Sequence, residues 1–239
     1  MKRDIAIIGM SGRFPKSDNI EEFWNNLINE KELIHFFSDQ ELIDRGVDKK
    51  QIDQKNYIKA ASFIEDTNSF DYPFFKYTLD EARIMNPQTR MMHQLVWEAL
   101  EDSGCNTETY SKKTGIFLGA NKDLNWSLHA MLTNDLNVDL LSKGKLSNPN
   151  FMASLISYKL NFKGPCYFID TACSTSLSTT HLACRSLLLN ECGIAVAGGI
   201  RLLSDEDNGY NYVDGSIMSN DGHNRSFDSK SSGTIGTDG

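Results

Sequence analysis

Four short, unbroken apolar runs constrain this chain more than any other feature: DIAIIG (residues 4–9), TGIFLGA (114–120), CYFID (166–170) and GIAVAGGI (193–200). Apolar runs without alternation suit strands buried on both faces, and such strands belong to parallel sheets covered by helices. Stretches of helical period lie between them. In SDNIEEFWNNLINE (17–30), Ile20, Phe23, Trp24, Leu27 and Ile28 share one face. In the segment 86–104, Asn86 suits an N-cap, Pro87 the first helical position and Gly104 the end, with Met92, Leu95, Val96, Ala99 and Leu100 as the apolar face. Strands alternating with helices predict an α/β fold with a largely parallel sheet. The polar region 31–80, with its aromatic cluster FDYPFF (70–75), reads as an irregular excursion, and the Gly-, Ser-, Asp- and Asn-rich tail 219–239 reads as loop. Because the chain stops in that loop, it is expected to be cut short.

A net charge of −8 over 239 residues excludes the clustered Lys and Arg that a phosphate backbone needs, so no nucleic-acid partner is expected. The N-terminal apolar run is broken at Gly9, too early for a signal-peptide core, and no stretch approaches the roughly 20 apolar residues of a membrane span. Cys105, Cys166, Cys173, Cys184 and Cys192 are odd in number and lack CxxC spacing, against both a disulfide framework and a zinc site. A cytoplasmic protein with reduced thiols, no metal and no bound cofactor is expected.

IDTACSTSL (169–177) places Cys173 between a strand and a helix whose apolar positions are Leu177, Thr180, His181, Cys184, Leu187 and Leu188. There the unpaired N–H groups and positive end of the helix favour a thiolate, and a sharp turn aims a backbone N–H at a developing oxyanion. The small neighbours Ala172, Ser174 and Thr175 leave room for a substrate. A buried structural cysteine is the commoner fate of the residue type, and local pattern leaves both readings open. Cys166, Cys184 and Cys192, within a strand, on a helix face and near a turn, read as packing residues. The histidines 35, 93, 129, 181 and 223 are scattered and read as surface or core side chains; His181, eight residues beyond Cys173, would lie roughly 12 Å along the helix. GMSGRF (9–14) lacks the spacing of a dinucleotide loop, no Walker lysine pattern occurs, and Gly198 and Gly199 read as a close-packing pair.

In order, DIAIIGMSGRFPKSDNIEEFWNNL, FDYPFF, EARIMNPQTRMMHQLVWEALEDSG, GIFLGA, ISYKLNFKGPCYFIDTACSTSL, HLACRSLLLNECGIAVAGGI and IMSNDGHNRSFD resemble successive blocks of the β-ketoacyl synthase domains of modular polyketide synthases. The resemblance implies the N-terminal half of a thiolase-like, layered αβαβα fold over residues 1–239, dimeric, with the strand before Cys173 near the dimer interface. It selects Cys173 as the nucleophile that accepts an acyl chain from the phosphopantetheine arm of an acyl carrier protein, its own N–H serving as an oxyanion donor. A malonyl-type extender on a second carrier would then be decarboxylated and its carbanion would attack the acyl enzyme. Two histidines and a lysine that assist this step belong to the family's second half, so these 239 residues alone are expected to be inactive in condensation.

The second hypothesis is a split or degenerate ketosynthase that holds or gates acyl chains without extending them. A cysteine hydrolase would need a His and an acidic partner in motif context, which is missing. The chain departs from the family at Asn86, where Asp is usual; at Ser154 and Leu155, where an Asn-Arg pair is usual; and at Thr175, where CST replaces the commoner CSS and keeps a small hydroxyl.

Overall fold

The computed structural model describes residues 4–106, 113–134, 137–202 and 208–239. The chain divides into two compact units, one of Gly12–Glu65 with Leu202–Gly239 and one of Met1–Ser11 with Asp66–Arg201.

The first of these opens with α1 (Ile20–Ile28), whose N-cap Asn19 accepts a hydrogen bond from the Glu22 N–H. The expected amphipathic face forms, yet none of its residues is buried, and Trp24 stays 60% exposed. Region 31–80 is less irregular than its composition suggests: β1 (His35–Phe36), α2 (Asp39–Asp44), α3 (Lys49–Ile52), β2 (Tyr57–Ile58) and β3 (Ala60–Ala61) follow. These elements are too short to show periodicity, but their caps are written in the sequence. Ser38 and Glu41 form a capping box on α2, and Asp48 caps α3. Phe37, Leu42, Ile52, Tyr57 and Ala61 make the core of this unit, and the Arg45 guanidinium lies 5.0 and 4.9 Å from the Phe37 and Phe63 rings.

The other unit carries the parallel sheet. Its helix α4 (Leu79–Ile84) is capped reciprocally by Thr78 and Glu81. The long helix α5 (Pro87–Ser103) keeps the expected punctuation: the Asn86 side chain accepts from the Gln88 N–H, and Gly104 ends the helix at φ 65°. Next come β4 (Thr114–Ala120), α6 (Leu124–Leu132), α7 (Leu140–Ser147), α8 (Met152–Lys159), β5 (Cys166–Phe168), α9 (Thr175–Leu188) and β6 (Ile194–Ile200). The sheet order is β5-β4-β6, with both pairings parallel and Ile116 of β4 opposite Cys166 and Val196. All seven residues of β4 are buried, as an unbroken apolar run requires in a central strand. Successive residues of β6 face opposite sides: a Cβ on Gly198 would point to Met92 of α5, and one on Gly199 to Ser176 of α9, so these two helices cover opposite faces. The FDYPFF cluster joins a second core in this unit, where Phe75, Tyr77, Ile84, Met85, Ala130 and Leu146 are buried and Leu155 packs against them.

Three expectations are corrected here. Residues 4–9 form no strand: Ile7 is 80% and Ile8 50% exposed, because this segment joins no ladder with β6 and is held instead by side chains, Met10 N–H to Asp102 Oδ2 at 2.8 Å and Ser11 Oγ to the Leu95 carbonyl at 2.6 Å. The strand at 166–168 is a sheet edge, with Cys166 and Tyr167 exposed. The apolar positions of α9 do not face the sheet. Thr179, Ala183 and Ser186 are buried, whereas Leu177 stays 77% exposed, because Gly119 and Gly199 let the start of the helix lie so close to the strands that only small side chains fit between them. Ahead of the tail, β7 (Tyr210–Asn211) pairs antiparallel with β2.

Phe117, 1% exposed at the centre of β4, stacks on Tyr167 with ring centroids 5.7 Å apart. Phe117→Ala is expected to destabilise the chain by about 3–5 kcal/mol, measured by urea unfolding.

Candidate active site

Cys173 sits where β5 hands over to α9. A 3₁₀ turn, Ala172–Ser174, runs directly into α9 at Thr175. Ala172 has φ 51°, a left-handed conformation that costs an L-residue about 1 kcal/mol or more and persists only where its neighbours impose it. They do so through five side-chain hydrogen bonds. Asp170 Oδ1 accepts from the Ala172 N–H at 3.1 Å, and Thr175 Oγ1 accepts from the Thr171 N–H at 3.0 Å. Ser174 Oγ donates to the Thr171 carbonyl at 2.8 Å and to Thr171 Oγ1 at 3.1 Å, while Thr171 Oγ1 and Ser178 Oγ share a bond of 2.8 Å. The serines and threonines that looked merely small in the sequence are thus a brace.

The turn also lies hard against β4. A Cβ added to Gly119 would overlap the Ile169 carbonyl oxygen and the Thr175 methyl, both closer than the 3.0 Å that real Cβ atoms keep, so only glycine admits the turn at this depth. Gly199 plays a milder version of the same part beneath Ser176, at 3.3 Å.

Among the described residues neither the thiol nor the N–H of Cys173 is engaged by a hydrogen bond, and the residue is exposed. A free thiol beside a free backbone donor at the start of a 14-residue helix is an arrangement for attack on a carbonyl and capture of the resulting oxyanion. The other cysteines differ: Cys192 is buried and its burial pushes the thiol pKa up, Cys184 is half-buried on α9, and Cys166, expected as a packing residue, lies exposed on the sheet edge.

Four histidines are occupied elsewhere, as the sequence suggested. His93 is fully buried, its Nδ1 on the Thr89 carbonyl at 2.7 Å and its Nε2 on the Tyr77 hydroxyl at 3.2 Å. His35 meets Glu41 at 3.2 Å, His223 meets Glu32 at 2.7 Å, and His129 packs on Trp126. His181 is exposed on α9. Among the described residues no cluster of three His, Cys, Asp or Glu could hold a metal ion, and no helix is long and apolar enough to cross a membrane.

Sequence reasoning missed a link at the same end of the sheet. Gln88 donates through Nε2 to the Asn121 carbonyl at 2.8 Å and accepts the Asn121 N–H at 3.2 Å, tying the start of α5 to the end of β4. The position where the family usually has Asp keeps its capping role through Asn86 Oδ1, 2.9 Å from the Gln88 N–H. Leu155, where Arg is usual, joins the hydrophobic core.

Solved structures share this geometry. Ketosynthase twelve of the bacillaene polyketide synthase of Bacillus amyloliquefaciens superposes with a TM-score of 0.91 at 33% identity, over 98% of this chain and 41% of that one. The ketosynthase of module 1 of the same synthase gives 0.80 at 32% identity, over 96% and 37%. The architecture is therefore that of a thiolase-like ketosynthase, in its N-terminal domain. The sequence matches the family model "Beta-ketoacyl synthase, N-terminal domain" across residues 2–239, and the chain belongs to that family. Its relatives include a phenolphthiocerol/phthiocerol polyketide synthase of Mycobacterium tuberculosis, 37% identical over 97% of this chain, and polyketide synthase PksL of Bacillus subtilis, 34% identical over 99%. The chain spans 16% and 5% of the length of those two proteins.

Burial pushes the His93 pKa down to about 4 from 6.5. The unfolded chain therefore binds the proton more readily, so the stability that neutral His93 supports is complete above about pH 6.5 and is lost as pH falls toward 4. Thermal melting of wild type is expected to drop between pH 7 and pH 5 on this account, and His93→Gln to flatten that drop.

Proposed function

We propose that this chain is the nucleophile-bearing part of a condensing ketosynthase domain of a polyketide synthase. Cys173 accepts an acyl chain from the phosphopantetheine thioester of an acyl carrier protein, and the acyl enzyme is then extended by a decarboxylated malonyl-type unit on a second carrier. The observation that carries this reading is the braced turn that leaves both the thiol and the N–H of Cys173 free. In the transfer, the Cys173 sulfur attacks the thioester carbonyl, a C–S bond forms, the oxyanion is met by the Cys173 N–H, and the carrier thiol leaves. No histidine or lysine shares the hydrogen-bond network of the turn among the described residues; its one carboxylate, Asp170, is engaged by the Ala172 N–H. The histidines and lysine that drive decarboxylation in this family are assigned to a second half, which would also cover the apolar stripe of α9, with Leu177 77% and Leu188 43% exposed.

A second copy is the other partner proposed. The edge of β5 opposite β4 has no ladder partner among the described residues, and Tyr167 on it is 54% exposed. An open edge with an exposed aromatic is a template for pairing with an identical strand about a two-fold axis. The five free cysteines support a reducing setting, the cytoplasm.

Two measurements test these readings. Incubated with an acyl thioester, wild type is expected to gain one acyl group at Cys173 by mass spectrometry and Cys173→Ala to gain none; acylation of that variant at an equal rate overturns the assignment. Tyr167→Asp is expected to shift the sedimentation of the protein from dimer to monomer, and an unchanged dimer would place the interface elsewhere.

A further inference from the structure

We propose that Thr175 is a positioning residue for Cys173, its methyl seated on Gly119 and its hydroxyl pinning the Thr171 N–H, so that the left-handed turn at Ala172 aims the Cys173 amide at the reacting carbonyl. The proposal rests on the reading of Cys173 as the acyl-accepting nucleophile.

Threonine has two unlike branches on one carbon, and both have a defined seat here. The methyl occupies the space directly above Gly119 that a Cβ on that residue would need. The hydroxyl accepts the Thr171 N–H at 3.0 Å. Exchange of the two branches by rotation about χ1 would move the methyl off the glycine floor and leave the Thr171 N–H without its acceptor. A β-branched side chain is stiff at χ1 in any case, so the floor and the branching together hold one rotamer. Serine, the commoner residue at this position in the family, has the hydroxyl without the anchor and would be free to turn.

Thr171 is the hub through which this acts. Its N–H is held by Thr175, its carbonyl by the Ser174 hydroxyl, and its own hydroxyl by Ser174 and Ser178. The Thr171 N–H lies in the 170–171 peptide, the 171–172 peptide after it is held by Ser174 and Asp170, and Ala172 follows at φ 51°, so freeing the first plane loosens the two that follow and swings the Cys173 N–H. The thiol lies farther out on a flexible side chain and depends less on that peptide. Thr175 therefore bears on reactions that need the amide as an oxyanion donor and not on those that need only the sulfur.

Two reagents separate these demands. S-acetyl-N-acetylcysteamine transfers its acetyl group to Cys173 through a tetrahedral oxyanion: the Cys173 thiol gives its proton to water, the new C–S bond forms, the old one breaks, and N-acetylcysteamine leaves as its thiolate and takes a proton back from water. Iodoacetamide alkylates the same sulfur by direct displacement of iodide and forms no oxyanion. Thr175→Val keeps the shape and removes the acceptor. It is expected to slow acetyl transfer about tenfold while changing alkylation less than about twofold, since misorienting an oxyanion donor costs part of the 10²–10³ that its removal costs. Thr175→Ser, which restores the acceptor without the anchor, is expected to recover part of the transfer rate, between the valine variant and wild type. Should the valine variant fail to fold by circular dichroism, Thr175→Ala takes its place with the same expectation.

Equal rates of acetyl transfer in wild type and Thr175→Val overturn the proposal, as does an equal loss in both reactions, which would mark a general structural role. Failure of wild type to acylate at Cys173 while it alkylates there would bring down the nucleophile reading itself, and this proposal with it.

Discussion

The closest constraint in the molecule is the seating of the turn at Cys173 on the backbone of β4. At Gly119 the Ile169 carbonyl and the Thr175 methyl occupy the space that any side chain would fill. Everything about the site follows from that contact. It brings β5 and α9 down onto the end of the central strand, sets the depth at which α9 lies, and so demands the small residues Ser176, Thr179, Ala183 and Ser186 on its inner face. A larger side chain at any of these would lift the helix and unseat the turn.

A left-handed alanine beside the exposed Cys173 is conformational strain, and strain persists only when the surroundings over-determine it. Here the means are local and polar, a set of hydroxyls and one carboxylate within nine residues, with hydrophobic burial entering only through Gly119. The consequence is a site whose geometry is independent of the exposed apolar surfaces around it. The open edge of β5 and the outward stripe of α9 can be covered by other polypeptide without redrawing the turn.

Much of the fold was legible because its signals are local. The strand at Thr114–Ala120 is an apolar run bounded by polar residues, and α5 announces both its ends through Asn86, Pro87 and Gly104. Cys173 was legible as the residue between a strand and a helix, and the structure places it there, exposed in the turn before α9. The brace was not legible, since Ser174, Thr175 and Ser178 look alike in a sequence and differ only in which backbone group each one meets. The short elements of 31–65 escaped because two to six residues carry no period.

By itself the sequence determined the alternation of strands and helices, the buried run of β4, the helix ends and the place of Cys173 between a strand and a helix, all set by residue type and spacing along a few turns of chain. Only the tertiary structure decided that, among the described residues, 4–9 join no ladder, that β5 is an edge, that Leu177 and Leu188 of α9 stay exposed and that the Thr175 methyl seats on Gly119. Those outcomes depend on which surfaces meet and how closely. Hydrophobicity along a chain says that a face seeks burial, but not which neighbour is there to bury it.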